Sequence, residues 1–332
     1  MTSIKAKIIN TVIKIPLLST MVYKWRRNHE IQLASDDPRN NANRVYSSVF
    51  HKNIDWEFPK DLIEKIYWLQ LFTDTSLWTL CADKYRMREF VESKGCSDIL
   101  PMLYGHWERA EDIEFSILPD KFVLKTTNGC GQVLIVKDRH KLNISKTRKL
   151  LNNWMQLKYG FTDAQIHYSR IPPCIIAEEM LFEKNAESDA SLIDYKVWCF
   201  HGKPEYILVV YDRIILGKNQ GYSLSVYDLE WNNISARALR KGNKHYKGTD
   251  VPKPTRLTDM LKYAEKLSKD FVEVRVDFYE TDGRLTLGEL TFTTGYGYYT
   301  TEFYEYLGSK IDLCKVKRID NMNCPDISML TL

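Results

Sequence analysis

No stretch near the start of this chain is apolar for long enough to cross a bilayer. The longest uncharged run there, residues 15–23, is far below the ~20 residues a spanning helix needs. The uninterrupted apolar core of a secretory signal peptide is missing too. The seven cysteines (Cys81, Cys96, Cys130, Cys174, Cys199, Cys314 and Cys324) are odd in number and scattered, with no CxxC pair. That spacing indicates neither a disulfide framework nor a zinc knuckle and fits a reducing cytoplasm. Neither sign of charge dominates: 47 basic against 43 acidic side chains leave +4 over 332 residues, too little to argue for a nucleic-acid partner. Internal repeats and low-complexity tracts are lacking. So are a Walker GxxxxGK[ST] loop and the glycine-loop and HRD set of a protein kinase. His29-Glu30 lacks the second histidine, at position 33, that a zincin requires.

What the chain has is length for a full core in two or three lobes. Its basic residues are unevenly spread. Residues 1–30 carry Lys5, Lys7, Lys14, Lys24, Arg26 and Arg27 against the single acid Glu30. Apolar residues alternate with lysines up to Tyr23, so residues 1–24 read either as a basic helix on their own domain or as a peripheral segment on anionic lipid. Near-helical spacing of Leu62, Ile63, Ile66, Tyr67 and Leu69 predicts a helix over 60–73. A second helix is expected over 83–94 from an Asp83 cap, then a short strand over 99–104 and a charged linker, ERAEDIE. Strands over 121–126 and 132–137 flank a turn at 127–131, followed by a helix from Ser145 closed by Gly160 and a strand CIIAEEML. Residues 194–213 read as two strands around a His201-Gly202 turn. A helix over 257–270 precedes a last hairpin turning at Asp282-Gly283.

Two places could carry chemistry. FVLKTTNGCGQVLIVKD, residues 122–138, has the Asn128-Gly129 signal of an ordinary hairpin. Lys125 stands on the strand before it, and small residues let backbone N–H groups approach an anion closely. In VEVRVDFYETDGRLTLGELTF, alternation puts Arg275 and Asp277 on one face, and Glu289 pairs back toward that region, at a distance from the Asp282-Gly283 turn comparable to that of Asp277. A solvent-facing salt bridge satisfies that pattern; so does a site for magnesium carried by a polyphosphate, which takes hard oxygens and few protein ligands. Lys196 and Arg213 flank the central hairpin as candidates for phosphate or a substrate carboxylate. His201 reads as a turn residue, and Tyr296, Tyr298 and Tyr299 as packing groups or sugar contacts.

Taken in order, Lys84 in CADKYRMREFV, Lys125 before the glycine hairpin, the IIAEEML strand, DYKVWCFHGKP and the RVD…GELT hairpin resemble an ATP-grasp enzyme. More narrowly they are similar to the TupA-like branch found with teichuronopeptide, capsule and O-antigen biosynthesis, over about residues 75–310. The resemblance implies an α+β fold with two lobes whose antiparallel sheets sandwich ATP. The expected segments are a reduced, largely helical region 1–75, a lobe 76–180 with the flap, and a lobe 181–332 with the magnesium and acyl-phosphate site. It implies Lys84 and Lys125 on the phosphates, a flap from Thr127 through Asn128 and Gly129 to Gly131, and adenine read by the hinge Glu178, Glu179, Met180 and Leu181. Glu187 or Asp194 would meet the ribose. Asp277 and Glu289 would hold Mg²⁺ together with Thr291, which stands where many such ligases have asparagine, and Arg275 would steady an acyl phosphate.

The activity so implied is ATP-dependent joining of a carboxylate, from a uronic acid or an acidic amino acid, to an amine in surface-polysaccharide synthesis. The competing reading is a glycosyltransferase. Its metal-dependent forms use an Asp-x-Asp pair, which this sequence lacks.

Overall fold

The computed structural model describes residues 28–161, 163–183, 191–216, 219–247 and 249–319. The segment 1–24 and Glu187 lie outside the described residues. Among these, no helix is long and apolar enough to cross a membrane.

Helices come first: α1 (Pro38–Phe50), α2 (Leu62–Phe72), α3 (Ser76–Ala82) and α4 (Met87–Ser93). α2 starts where it does because Asp61 accepts hydrogen bonds from the backbone of Ile63 and Glu64 while Glu64 reaches back, a reciprocal cap. It is buried on nearly every side, since α1 lies on one flank and α7 (Thr301–Ser309) crosses it. The crossing is close at Gly308, where a Cβ would stand 2.0 Å from the Lys60 carbonyl. α4 begins at Met87, after a turn at 84–86 that Asp83 caps. The Asp83 carboxylate accepts from the N–H groups of Tyr85 and Arg86, its carbonyl accepts from Met87, and it pairs with the Arg86 guanidinium, which holds Lys84 in the turn leading into the helix.

The strands form two antiparallel sheets. In the first, β1 (Leu103–Trp107), β4 (Ile175–Glu178), β2 (Phe122–Thr126) and β3 (Val133–Val136) lie in that order. The strand expected at 99–104 is displaced: Ser97–Ile99 forms a 3-10 turn, and pairing with β4 recruits 103–107 instead. Helix α5 (Ile144–Met155) covers this sheet, with Leu151 packed among Phe122, Leu124, Ile175 and Ala177. In the second sheet the order is β7 (Asn219–Tyr227), β6 (Lys203–Leu216), β5 (Asp194–Phe200), β8 (Glu273–Thr281) and β9 (Arg284–Thr291). Its core is larger and continuous with the helices. Residues of α1 to α4 pack with Val197, Val274 and Val276, with α6 (Leu257–Ser268) and with α7. α3 and α4 therefore belong physically with the second sheet, although they precede the first in sequence.

One core residue carries a pH signature. His167 is fully buried between Trp78 and Phe292, with neither ring nitrogen hydrogen-bonded. Burial, helped by Arg170, pushes its pKa down to about 3. The unfolded chain therefore binds a proton at higher pH than the folded one, and stability rises with pH between about 3 and 6.5. We expect lowering the pH from 7 to 5 to cost about 2 kcal/mol through this ring. Urea unfolding at the two pH values, compared with that of His167→Leu, checks it: the change in stability between pH 7 and pH 5 should differ between wild type and variant by about this amount.

Candidate functional site

Alternation along three neighbouring strands builds one polar face on an otherwise apolar sheet. Across β5 and β8, Lys196 pairs with Asp277 and Trp198 with Arg275; across β8 and β9, Asp277 pairs with Glu289 and Arg275 with Thr291. Residues directly opposite one another share a face, so these side chains stand together, while Val274 and Val276 enter the core behind them.

The Arg275 guanidinium forks onto Asp277, with Nε and an Nη at 2.7 and 2.8 Å from its two oxygens. It also donates to Thr294 at 2.9 Å and Thr291 at 3.2 Å, lies over the Trp198 ring, and comes within 3.7 Å of Glu289. Lys196 places its ammonium 2.5 Å from Asp277 and 2.7 Å from Asp194. A β-bulge in β6 lies between Tyr211 and Ile214, with Asp212 at a positive φ of 50°. Bulges re-aim side chains, and this one carries Arg213 to 3.2 Å from Asp194. The result is a chain of alternating charges, Arg213, Asp194, Lys196, Asp277 and Arg275.

Arg275 is 8% and Asp277 1% exposed, so this is not a solvent-facing salt bridge. Burial alone would push the Asp277 carboxyl up, but Arg275 and Lys196 more than offset it and hold the pKa below the usual value. For Lys196, burial is likewise outweighed by Asp194 and Asp277, and the pKa is raised. Glu289 is different: its side chain keeps 32% exposure, and its polar contacts are the long one to Arg275 and a 3.3 Å hydrogen bond from Thr291.

The loop of the first sheet reaches this face through Lys84. Its ammonium donates to the Gly129 carbonyl at 2.5 Å, and Glu289 is the largest charge acting on it against the burial that lowers its pKa. Thr127 and Asn128 serve the loop's base rather than its tip. Thr127 accepts from the Cys174 N–H, and the Asn128 amide donates to the carbonyls of Trp154, Met155 and Leu157 at the end of α5. Gly129, Cys130 and Gly131 form the tip, Gly131 with φ of 86°, a conformation that favours glycine.

Lys125 stands apart from the charge chain, paired at 2.7 Å with Glu178, which Arg88 also approaches at 3.4 Å. Past the end of β4, Glu179 forks with Arg284 and its N–H is taken by Met102; half-buried Met180 and Leu181 follow. Asp194 belongs to the charge chain, on β5. Trp198, Thr294 and Arg88 were missed from the sequence. Trp198 could have been found by extending the alternation from Lys196, whereas Thr294 lies beyond β9 in irregular chain and Arg88 acts across sheets.

The residues present suit a hard cation brought by a polyphosphate. Glu289 has carboxylate capacity to spare, and the buried Asp194 Oδ1 has no hydrogen-bond partner. Both oxygens of Asp277 are already engaged. Among the described residues, no group of three or more histidine, cysteine or acidic side chains could hold a metal by itself, so ligand oxygens would have to complete the shell.

A family model described as TupA-like ATPgrasp matches residues 64–312. No curated protein matches the chain. Among solved structures, the D-alanine–D-alanine ligase from Bacillus anthracis is 16% identical over 65% of this chain and 58% of that one, with a TM-score of 0.38. An L-amino acid ligase from Bacillus licheniformis is 15% identical over 67% and 44%, with a TM-score of 0.40. An N5-carboxyaminoimidazole ribonucleotide synthetase, solved as its ADP complex, is 14% identical over 67% and 47%, also with a TM-score of 0.40. The chain thus spans 44% to 58% of the length of these three.

Proposed function

The chain belongs to the TupA-like ATP-grasp family, and from that premise we propose that it is an ATP-dependent carboxylate–amine ligase of surface-polysaccharide synthesis. Its carboxylate would come from a uronic acid or another acidic group, and its amine from an amino acid or simpler amine. The carboxylate attacks the γ-phosphorus of ATP and ADP leaves. The amine nitrogen then attacks the acyl carbon and loses a proton, and phosphate leaves with the carbon–oxygen bond.

The observation that carries this reading is the buried set Lys196, Asp277 and Arg275, with Glu289 at its edge and Lys84 joining it to the loop tip. Such a set supplies fixed positive charge where negative charge develops, with little reorganisation. Lys84 and Lys125 would bind phosphates, and the tip of the Thr127–Gly131 flap would offer backbone N–H groups. The backbone of Met180 and Leu181 would read adenine, while the side chains of Glu178 and Glu179 are held by Lys125 and Arg284. Asp194, held by two cations through Oδ2, would orient Lys196 and Arg213, and it or Glu187 would meet the ribose. Magnesium, when bound, would supply charge neutralisation; Glu289 would hold it most directly, and Asp277 and Thr291 would join by giving up contacts they make with Arg275 and Lys196.

The test is ADP release by purified protein given Mg-ATP, uronic or amino acids, and amines. Release that requires both acid and amine is expected. Stabilisation by a nucleotide sugar but not by ATP would overturn the reading in favour of glycosyl transfer.

A further inference from the structure

Beyond the charge chain, the same face of the second sheet runs onto β7 across the buried apolar Val210 and Leu224. Asp194 pairs with Val210, and Val210 with Leu224, so Leu224, and Tyr222 two residues before it, lie on the same face as Lys196 and Asp277. Two strand spacings, roughly 10 Å, and two residues along the strand, roughly 7 Å, separate Tyr222 from Asp194. In the register Tyr222 falls opposite the bulge that carries Arg213.

Tyr222 is the centre of an aromatic group. Its ring stacks on His245 at 3.9 Å and 2°, its hydroxyl donates to that of Tyr298 at 3.1 Å, and its carbonyl meets His245 Nδ1 at 3.0 Å. The same contacts fix the loop that supplies His245. Arg240 donates its N–H to the Tyr298 carbonyl at 2.9 Å, and Leu224 donates to His245 at 2.8 Å. Residues 237–247, RALRKGNKHYK, contain five lysines and arginines and no acid. Arg240, Lys241 and Lys244 are exposed, and among the described residues none has a carboxylate partner. Concentrating unpaired cations beside half-buried aromatic rings raises the local potential and costs stability, a cost that a bound anion removes.

We infer that Tyr222, His245, Tyr298 and the 240–247 loop form an acceptor subsite for a sugar bearing a phosphate or diphosphate. The rings would face the sugar and the loop cations the phosphate, with the sugar's reacting group directed along the sheet face past Arg213 toward Lys196. The inference rests on the ligase reading and gives the acceptor its chemical class. A soluble nucleotide sugar and a prenyl-linked sugar diphosphate present the same chemistry.

Binding of four probes to the full chain and to its Arg240→Ala/Lys241→Ala/Lys244→Ala variant tests it: UDP-glucuronate, a short-prenyl diphosphoryl sugar in detergent, ATP, and phosphatidylglycerol vesicles. We expect at least one sugar diphosphate to bind the wild type and to weaken about tenfold or more in the variant, equivalent to about 1.4 kcal/mol, with ATP affinity unchanged. Which sugar binds identifies the source. Failure of both sugars with ATP bound normally, or equal binding by the variant, overturns the subsite and leaves the ligase reading standing. Vesicle binding lost in the variant, without sugar binding, overturns it in favour of a membrane surface. Failure of ATP to bind the wild type would instead sink the ligase reading.

Discussion

Arg275→Ala is expected to destabilise the protein by about 3–5 kcal/mol and to lower ATP-dependent turnover by at least about 10³-fold. The two effects share a cause. The guanidinium satisfies both oxygens of Asp277 in a fork and anchors Thr294 and Thr291. Without it a carboxylate that is 1% exposed keeps only Lys196, which Asp194 also claims, and a buried charge short of partners costs far more than a surface pair. Arg275→Lys separates the contributions. It restores the charge without the planar fork, so it should recover part of the stability and little of the turnover.

The pH dependence of stability has a definite sign. Burial raises the Asp277 pKa, Arg275 and Lys196 lower it more, and the net direction is down from 3.8. The stability Asp277 contributes is therefore complete above about 3.8 and is lost as pH falls through its folded value. The wild type should accordingly lose no stability through Asp277 between pH 7 and pH 5, whereas in Arg275→Ala burial is opposed by Lys196 without Arg275, so the variant's penalty should shrink as the pH falls. Urea unfolding at pH 7 and pH 5, with ADP release on the same samples, measures both effects. A variant with wild-type midpoint and turnover would remove Arg275 from the site.

Much of this face could be read from the sequence because one hairpin generates it. Asp282 and Gly283 both take positive φ, 48° and 76°, as the Asp-Gly signal requires. Counting back from that turn brings Asp277 to Gly288, and a bulge between Asp277 and Phe278 moves the pairing on to Glu289. Burial could not be read the same way. The partner that turns an apparent surface salt bridge into a buried network, Lys196, comes from β5, many residues earlier, and Thr294 comes from irregular chain after β9. Local signals misled where a side chain had a competing partner. Asn128 looks like flap, yet it fastens the loop to α5. Element type follows periodicity, whereas the assignment of a polar side chain depends on groups far away in sequence.

Lys84→Ala should lower ATP-dependent turnover by about 10²–10³-fold with little change in stability, the contrast with Arg275 following from what each leaves behind. Deleting Lys84 strands no buried carboxylate. Its hydrogen bond goes to the Gly129 carbonyl at the loop tip, and Glu289, the main charge it feels, is part-exposed. What disappears is the cation that couples the loop of the first sheet to the acid edge of the second. Burial already lowers the Lys84 pKa, with Glu289 opposing it, so the ammonium is lost at a lower pH than that of an ordinary lysine. The alkaline limb of the rate profile should follow that loss. Lys84→Arg keeps its proton throughout this range, and any activity it retains should have its alkaline limb displaced to higher pH, a shift that a purely structural role would not produce. Turnover of Lys84→Ala within about twofold of wild type, or an alkaline limb unmoved in Lys84→Arg, would show that Lys84 only props the loop. A normal urea midpoint alongside the lost activity would place its contribution in phosphate binding, where a lysine acts as a compact point charge.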